Sequence, residues 1–225
     1  MQNLKPDIPL LLIPAAGFGR RMGSPEAKEM LPGPDGRPLI QWGLEQAFLR
    51  GWHVHVVSRK GKQVLAEFLR SQAQPELTWN EIESSLECAD TLLQSELFWR
   101  ERMIVLLPDT RFEPTEILDQ MAASLLDHDL VYATFPVRDP STWGVIQQSG
   151  NSWQIAEKCT QAEVAGEHQA WGLLGFQRHT GKKALEAHLR SILGAGPQNL
   201  PVVPGLCLLK SFQDLTRAET APAAR

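Results

Sequence analysis

The chain has 225 residues, of which 43% are hydrophobic and 21% are charged, and its formal net charge at pH 7 is −4. A chain of this length can bury a substantial core as one domain without disulfides or a structural metal. The negative charge excludes a general attraction to nucleic acid or to an anionic membrane surface, so any anion must be bound by a local group of cations.

The cysteines and the apolar segments indicate a cytoplasmic protein. Cys88, Cys159 and Cys207 are odd in number, lie far apart and form no CxxC pair, which argues against a disulfide framework or a structural zinc site. The apolar run 8–16 is interrupted by prolines and followed by two arginines, unlike a secretory signal peptide. No segment approaches the roughly 20 apolar residues that span a bilayer.

Predicted strands and helices alternate in the first half of the sequence. Continuous aliphatic runs predict buried strands, and apolar residues spaced three or four apart predict helices. The predicted elements are strand 10–13, helix 39–49, strand 53–58, helix 62–71, strand 77–82, helix 86–97 and strand 103–109. The helix 62–71 is expected to bury Val64, Leu65, Phe68 and Leu69 on one face. This alternation predicts a parallel sheet with helices on both faces.

The second half is predicted to contain more antiparallel strand. A helix with Pro114 in its first turn is expected to bury Ile117, Met121 and Leu125. Further elements are predicted as strands 130–137, 143–148, 153–158 and 170–176, helix 182–193 and strand 206–209. The turn 149–151, with the sequence SGN, predicts a hairpin. The fold class is therefore α/β, with a mixed, mainly parallel central sheet flanked by helices and a small antiparallel section.

Chemically active residues follow two of the predicted parallel strands. Ligands of such sheets bind outside the carboxyl ends of the strands. The runs that end there are IPAAGFGRR, with its glycines and arginines, and VLLPD, which ends at Asp109. We therefore expect the cations and Asp109 to face one cleft. His53 and His55 alternate with valines on another strand, where they are expected to share one face.

The glycine-rich turn after the first strand has several interpretations. A Walker loop needs Gly-Lys-Ser/Thr, and Gly23-Ser24 lacks the lysine. A Rossmann dinucleotide loop fits Gly17 and Gly19, but Met22 stands at the third glycine position and prolines keep the following segment in loop. A tight turn with no ligand is the structural alternative.

The longer pattern resembles a known signature. The elements AAGFGRRM, AKEMLP and GRPLIQW occur in this order, and they resemble the AAGxGTRM, PKxMLP and KPLI elements of the sugar-phosphate nucleotidyltransferases. The resemblance is closest to enzymes that make UDP- or dTDP-glucose from sugar 1-phosphates. The runs VLLPDTRFEPTEIL, TWGVIQQSGNSWQIAEK and AWGLLGF are similar to later parts of the same family.

The resemblance implies a Rossmann-like fold and a nucleotidyltransferase activity. The chain would form a single domain, with a nucleotide-binding half at about 8–128 and a sugar-phosphate-binding half at about 129–219. A nucleoside triphosphate and a sugar 1-phosphate would react to give a nucleotide sugar and pyrophosphate. The implied partners are these two small molecules, with no nucleic acid and no membrane; the oligomeric state is left open.

The resemblance also implies roles for individual residues. The catalytic residues would be Arg21, Lys28 and Asp109, and Asp109 would hold Mg²⁺, a hard cation suited to carboxylate and phosphate oxygens. The nucleotide would be bound by Ala15, Ala16, Gly17, Gly19, Arg20, Arg21 and Glu87. The sugar phosphate would be bound by Gly144, Glu157, Lys158 and Trp171.

This sequence departs from the family pattern at four positions. Arg20 replaces the usual threonine, and Lys28 follows alanine where proline is usual. Glu87 stands where the family has a glycine near the base or sugar. Leu208 stands where the family has its second metal-binding aspartate, so one carboxylate would hold Mg²⁺ with phosphates and water.

Two other functions are compatible with the sequence. A nucleotide-sugar binding protein could keep the cleft while losing activity with the second metal ligand. A glycosyltransferase of related architecture usually carries an Asp-x-Asp motif, and the run PDTR lacks the second acid. Fold alone does not separate these functions, because function depends on the site.

Overall fold

A computed structural model describes residues 8–17, 27–137, 143–149, 152–157, 168–193, 206–210 and 213–214. The chain divides into two compact units, residues 1–111 and 112–225. None of the helices in these described ranges is long and apolar enough to cross a membrane.

The first unit alternates strands with helices, as the sequence predicts. Its elements are β1 (Leu10–Pro14), a 3₁₀ helix (Lys28–Met30), α1 (Leu39–Leu49), β2 (His53–Arg59), α2 (Gln63–Ser71), β3 (Leu77–Ile82), α3 (Cys88–Leu93), a second 3₁₀ helix (Glu96–Phe98) and β4 (Arg102–Leu106). The helix α1 begins after Pro38 and ends before Gly51, whose φ of +64° is the left-handed conformation that commonly follows a helix.

The four strands of this unit form a parallel sheet in the order β4-β1-β2-β3. Leu12 of β1 lies opposite His55 of β2 on one side and Val105 of β4 on the other. All residues of β1 and β4 are buried, which accounts for their nearly unbroken apolar sequence. The carboxyl ends of β1 and β4 consequently lie side by side.

The buried face of α2 differs from the predicted face. Leu65, Ala66 and Leu69 are buried, whereas the Val64 side chain is 57% exposed. The prediction that Val64 shares the buried face was therefore wrong. Because adjacent helical residues point about 100° apart, placing Leu65 at the centre of the face turns Val64 toward its edge.

Two other predicted bounds were too long. The helix predicted over 86–97 is limited to α3, and Leu86 and Leu97 are 68% and 94% exposed. The strand predicted over 103–109 ends at Leu106, and Asp109 lies in the turn that follows. Apolar spacing alone does not mark such ends. In the case of β4, Pro108 has no backbone N–H to donate and favours a turn, so the strand ends before it.

The second unit contains the more antiparallel part of the fold. Its elements are β5 (Phe112–Glu113), α4 (Ile117–Ser124), β6 (Leu130–Val137), β7 (Gly144–Ser149), β8 (Ser152–Glu157), β9 (His168–Gln177), α5 (Arg178–Ile192), β10 (Leu206–Lys210) and β11 (Gln213–Asp214). The strand β6 pairs parallel with β10 and antiparallel with β9, and β7 pairs antiparallel with both β8 and β9. The mixed α/β fold class, the antiparallel section and the β7–β8 hairpin are thus confirmed.

Candidate functional site

The chain leaves the sheet immediately after β1. The Ala15 N–H donates to the Val57 carbonyl at 2.8 Å, which extends the pairing of β1 with β2 by one residue. Ala15 and Ala16 are 1% and 0% exposed, whereas Gly17 is exposed. A Cβ atom at Gly17 would have no neighbour within 4 Å, so packing within the described residues does not require glycine there. Among the described residues, no atom fills the space beside this Cα.

Three of the predicted nucleotide-binding residues cannot be placed. Gly19, Arg20 and Arg21 lie outside the described residues, so their roles stay predictions.

The structure brings together Lys28 and Asp109, which are 81 residues apart in sequence. The Lys28 Nζ donates to Asp109 Oδ2 at 2.8 Å, and the two side chains are 26% and 19% exposed. Lys28 begins the first 3₁₀ helix, and Asp109 lies three residues beyond the end of β4. A partly exposed cation and a partly exposed carboxylate therefore meet close to the carboxyl end of β4 in the first unit.

Asp109 retains one oxygen that fits a metal ion. Its Oδ1 is buried and has no hydrogen-bond partner among the described residues, although a buried carboxylate oxygen is normally satisfied. The part of the chain that the structure describes contains no group of three or more histidine, cysteine or acidic side chains suited to a metal. A hard cation at Asp109 would thus need ligands from substrate phosphates and water, as Mg²⁺ commonly has.

A second ion pair lies deeper, and sequence reasoning missed it. The Lys62 Nζ donates to Glu29 Oε1 at 2.7 Å and to the Ala15 carbonyl at 2.6 Å. Lys62 and Glu29 side chains are 4% and 0% exposed. Burial lowers the pKa of Lys62 below its usual range, and the Glu29 carboxylate opposes that shift. The adjacency of Glu29 to Lys28 was the one available signal, but nothing in the sequence indicates that Lys62 is buried.

A third contact holds the segment after Lys28. Asp35 accepts hydrogen bonds from the Arg37 backbone N–H at 3.0 Å and from the Arg111 guanidinium at 3.1 Å. These bonds keep the pKa of Asp35 well below its usual range, with the Arg111 bond as the largest cause. A Cβ at Gly33 would lie 2.6 Å from an Arg111 nitrogen, so the turn packs closely on the residue two positions after Asp109.

Glu87 has a structural contact in the first unit. It is the N-cap of α3, and its Oε1 accepts a hydrogen bond from the Ala89 N–H at 2.9 Å. This is the usual bond of an acidic N-cap. Its predicted part in nucleotide binding stays a prediction.

The predicted sugar-phosphate residues belong to the second unit. Gly144 begins β7 and lies opposite Glu157, the last residue of β8. Trp171 lies in β9 and packs edge to face on Tyr132, with ring centroids 6.4 Å apart. Lys158 lies outside the described residues. The hairpin register thus brings the backbones of Gly144 and Glu157 together, and the predicted binding of a sugar phosphate by these residues stays a prediction.

Leu208 occupies the middle of β10, opposite Tyr132 of β6. No described residue of β10 is acidic, and the effect of this departure on metal binding stays a prediction.

Comparisons with known structures show the fold. A protein assigned as a glucose-1-phosphate thymidylyltransferase from Bacillus anthracis, solved with sucrose, has a TM-score of 0.71 and 16% identity over 93% of each chain. A UDP-glucose pyrophosphorylase from Acinetobacter baumannii has a TM-score of 0.68 and 15% identity over 93% of this chain and 88% of its own. The same enzyme from that organism, bound to UTP, has a TM-score of 0.67 over the same shares.

The comparison with protein families is more decisive. A search of curated proteins finds no sequence match. The model of the MobA-like NTP transferase domain matches residues 11–192, well over half of the chain. The resemblance that the motifs indicate is thereby confirmed, and the chain belongs to the family of MobA-like NTP transferase domains.

Proposed function

We propose that this chain is a sugar-1-phosphate nucleotidyltransferase. The observation that carries the proposal is the contact between Lys28 Nζ and Asp109 Oδ2 at 2.8 Å, because the two residues match the cation and the acid of the implied reaction. The family match supports a transfer from a nucleoside triphosphate. The choice of acceptor rests on the motifs of the second unit, in particular the Gly144–Glu157 register.

In the proposed reaction, an oxygen of the sugar 1-phosphate attacks the α-phosphorus of the triphosphate. The bond from the α-phosphorus to the bridging oxygen breaks, and pyrophosphate leaves with its electron pair. The protein must position two anions that repel each other and neutralise charge on the non-bridging oxygens. Such a reaction needs cations and backbone donors more than a protein nucleophile.

Residues of the first unit would serve the triphosphate. Lys28 would neutralise the α-phosphate as a compact point charge, and Arg21 would contact the triphosphate. The absence of any described atom within 4 Å of a Cβ at Gly17 supports close approach of the nucleotide to this backbone. Asp109 would hold Mg²⁺ through Oδ1, which no described residue contacts by a hydrogen bond. When bound, the ion would supply charge neutralisation for the phosphate oxygens.

Residues of the second unit would serve the acceptor. The Glu157 carboxylate would accept hydrogen bonds from sugar hydroxyls, and Lys158 would meet the 1-phosphate. Trp171 would contribute an apolar surface beside the sugar.

The cytoplasm is the expected location, because the cysteines show no disulfide pattern.

A second candidate is a nucleotide-sugar binding protein without turnover. The sparse metal ligands favour it, since no acidic residue is found among those described in β10 and no three-residue metal group occurs in the described part of the chain. Mg²⁺ would then have little influence on nucleotide binding.

Pyrophosphate release tests the proposal directly. The protein is incubated with Mg²⁺, with each of ATP, GTP, CTP, UTP and dTTP, and with glucose, galactose or mannose 1-phosphate. We expect release that needs both substrates, and Arg21→Ala should lower kcat/KM about 10²-fold, the range for one lost charge-stabilising contact. Absence of release in every combination, together with nucleotide-sugar binding that ignores Mg²⁺, would establish the binding-protein alternative.

A further inference from the structure

Lys62 connects two segments of the first unit that the proposed reaction uses. Its Nζ lies 2.6 Å from the carbonyl oxygen of Ala15, the first residue after β1. It also lies 2.7 Å from Oε1 of Glu29, the residue after Lys28. The segment that approaches the nucleotide and the segment that carries the proposed catalytic lysine are thus held by one ammonium group.

The burial of this ion pair makes a purely stabilising role a poor explanation. Lys62 and Glu29 side chains are 4% and 0% exposed, and both charges lose most of their hydration. A buried ion pair often stabilises a fold no better than well-packed apolar residues of similar size. The pair can instead fix the relative position of two chain segments, because a charged hydrogen bond has a defined geometry between the groups that it joins.

The same burial excludes direct contact of Lys62 with a substrate in this conformation. The Lys62 side chain is almost fully buried, so a phosphate cannot approach its ammonium group. The ammonium group donates instead to Ala15 and Glu29 of the protein. Lys28, by contrast, is 26% exposed. Lys62 can therefore act on the reaction only through the segments that it holds.

We propose that Lys62 is a positioning residue for the nucleotide, which sets the distance between the Ala15–Gly17 backbone and Lys28 through its contact with Glu29. This inference rests on the proposed function. The Ala15 carbonyl fixes one end of the connection and the first 3₁₀ helix, which carries Lys28 and Glu29, fixes the other.

Substrate kinetics of Lys62→Met provide the first test. Methionine fills a similar volume but cannot hold either oxygen, so the triphosphate should meet a misplaced Lys28. We expect the KM for the triphosphate to rise at least about tenfold, since small misplacements have effects of this order. The KM for the sugar 1-phosphate should change less than about twofold, within the scatter of remote substitutions.

Lys60→Met is the matched control. Lys60 lies in the same connection between β2 and α2 and forms an ion pair with Glu83, but its side chain is 60% exposed. It should leave both KM values at the wild-type level. Equal effects of the two substitutions would show that any positive charge between β2 and α2 has this effect. The hydrogen bonds of Lys62 to Ala15 and Glu29 would then not be its cause, which would overturn the inference.

The double variant Glu29→Met with Lys62→Met separates positioning from stability. Lys62→Met alone leaves an unpaired buried carboxylate and should lower the Tm, whereas the double variant removes both charges and should recover it. We expect the double variant to keep the raised KM for the triphosphate. Recovery of both Tm and KM would mean that the pair only stabilises the fold, which would refute the positioning role. The double variant also serves if Lys62→Met does not fold.

Amide hydrogen exchange gives a readout that does not depend on turnover. The inference requires faster exchange at residues 15–17 and 28–31 in the double variant, at unchanged global stability. Unchanged exchange there would refute it. Wild-type protein that neither binds triphosphate nor releases pyrophosphate would refute the proposed function. Wild-type turnover with an unaltered KM in Lys62→Met would refute the inference alone.

Discussion

Lys28 and Asp109 form an ion pair that water still reaches. The side chains of this part-buried pair are 26% and 19% exposed, so its contribution to stability should lie near the upper end of the about 0–1 kcal/mol found for exposed ion pairs. We therefore expect the protein to stay folded when either residue is replaced. Substitutions here should report on ligand binding.

Asp109→Asn removes the charge of the proposed metal ligand while keeping its shape. We expect Mg²⁺ to tighten triphosphate binding to the wild-type protein and to have no such effect on Asp109→Asn. Isothermal titration with and without Mg²⁺ measures this difference, and the unfolding free energy should change by no more than about 1 kcal/mol. A variant that keeps the full Mg²⁺ increment would show that the metal is held elsewhere.

His55 predicts a pH dependence of stability. Its ring is fully buried in β2, stacked on Phe98 with a centroid distance of 4.0 Å, and its nitrogens lie 2.8 Å from Thr78 Oγ1 and 2.9 Å from Asn80 Oδ1. Burial lowers the pKa of His55, and the Asn80 contact opposes this in part. The predicted sharing of a face with His53 gave no hint of this burial.

Below the unfolded pKa of about 6.5, the unfolded chain takes up a proton that the buried ring does not. The unfolding free energy should therefore fall as pH decreases from about 6.5 toward the folded pKa, by at most about 1.4 kcal/mol per pH unit for this one proton. Urea unfolding at several pH values measures the slope. His55→Gln should reduce it, whereas substitution of the exposed His179 by glutamine should not; equal slopes in all three proteins would refute the assignment.

Individual residues could be predicted only where a motif carried them. Lys28 and Asp109, 81 residues apart, were singled out because their neighbours match a signature, and the structure places their side chains in contact; their catalytic roles stay predictions. Glu29 and Lys62 were not found, because a charged residue outside an apolar run looks the same in the sequence whether its side chain is solvated or buried. Arg21 and Lys158 stay predictions, since the structure does not describe them.

Helices and strands were predicted well in kind and less well at their ends. The bounds of α1 agree with the prediction because Pro38 and Gly51 mark them. The end of α3 was missed, because Leu97 continues the apolar spacing although it is 94% exposed. Periodicity records where apolar residues stand in the sequence, and it contains no information about whether a neighbour covers them.

Close packing of α5 on β9 gives a prediction about contacts between a helix and a strand. A Cβ at Gly181 would lie 1.9 Å from Cδ2 of Phe176, which is fully buried. Gly181→Ala should lower the unfolding free energy by about 1–3 kcal/mol through overpacking, even though alanine normally favours a helix by about 1 kcal/mol. Lys183→Ala, on the exposed side of the same helix, should change it by less than about 0.5 kcal/mol. Urea unfolding compares them, and equal effects would exclude the steric explanation.

At the scale of the whole molecule, the alternation of elements was enough to predict a mainly parallel sheet. The order β4-β1-β2-β3 was not predictable from periodicity, because any strand of suitable pattern could pair with any other. The order matters for the proposed function, since it places the ends of β1 and β4 next to each other. The division into nucleotide and sugar halves at about residue 128 stays a prediction.

The assignment of the two substrates to different parts of the chain can be tested with two lysines. Lys28→Ala should impair use of the triphosphate, whereas Lys158→Ala should chiefly raise the KM for the sugar 1-phosphate. Each variant should change the kinetic constant for its own substrate by about 10-fold or more, as expected for the loss of a charge-assisted contact of about 1.5–3 kcal/mol. Initial rates with each substrate varied in turn measure both constants. Identical effects of the two variants on both substrates would contradict the division.

The contact between Lys28 and Asp109 also means that the two side chains neutralise each other in the free protein. A lone anion that approaches Lys28 must compete with a carboxylate already 2.8 Å away, and a lone cation that approaches Asp109 must compete with an ammonium group. A metal–triphosphate complex brings a positive and a negative centre together, so it can satisfy both residues in one exchange. Free phosphate and free metal should therefore each bind at this pair more weakly than the metal–triphosphate complex does.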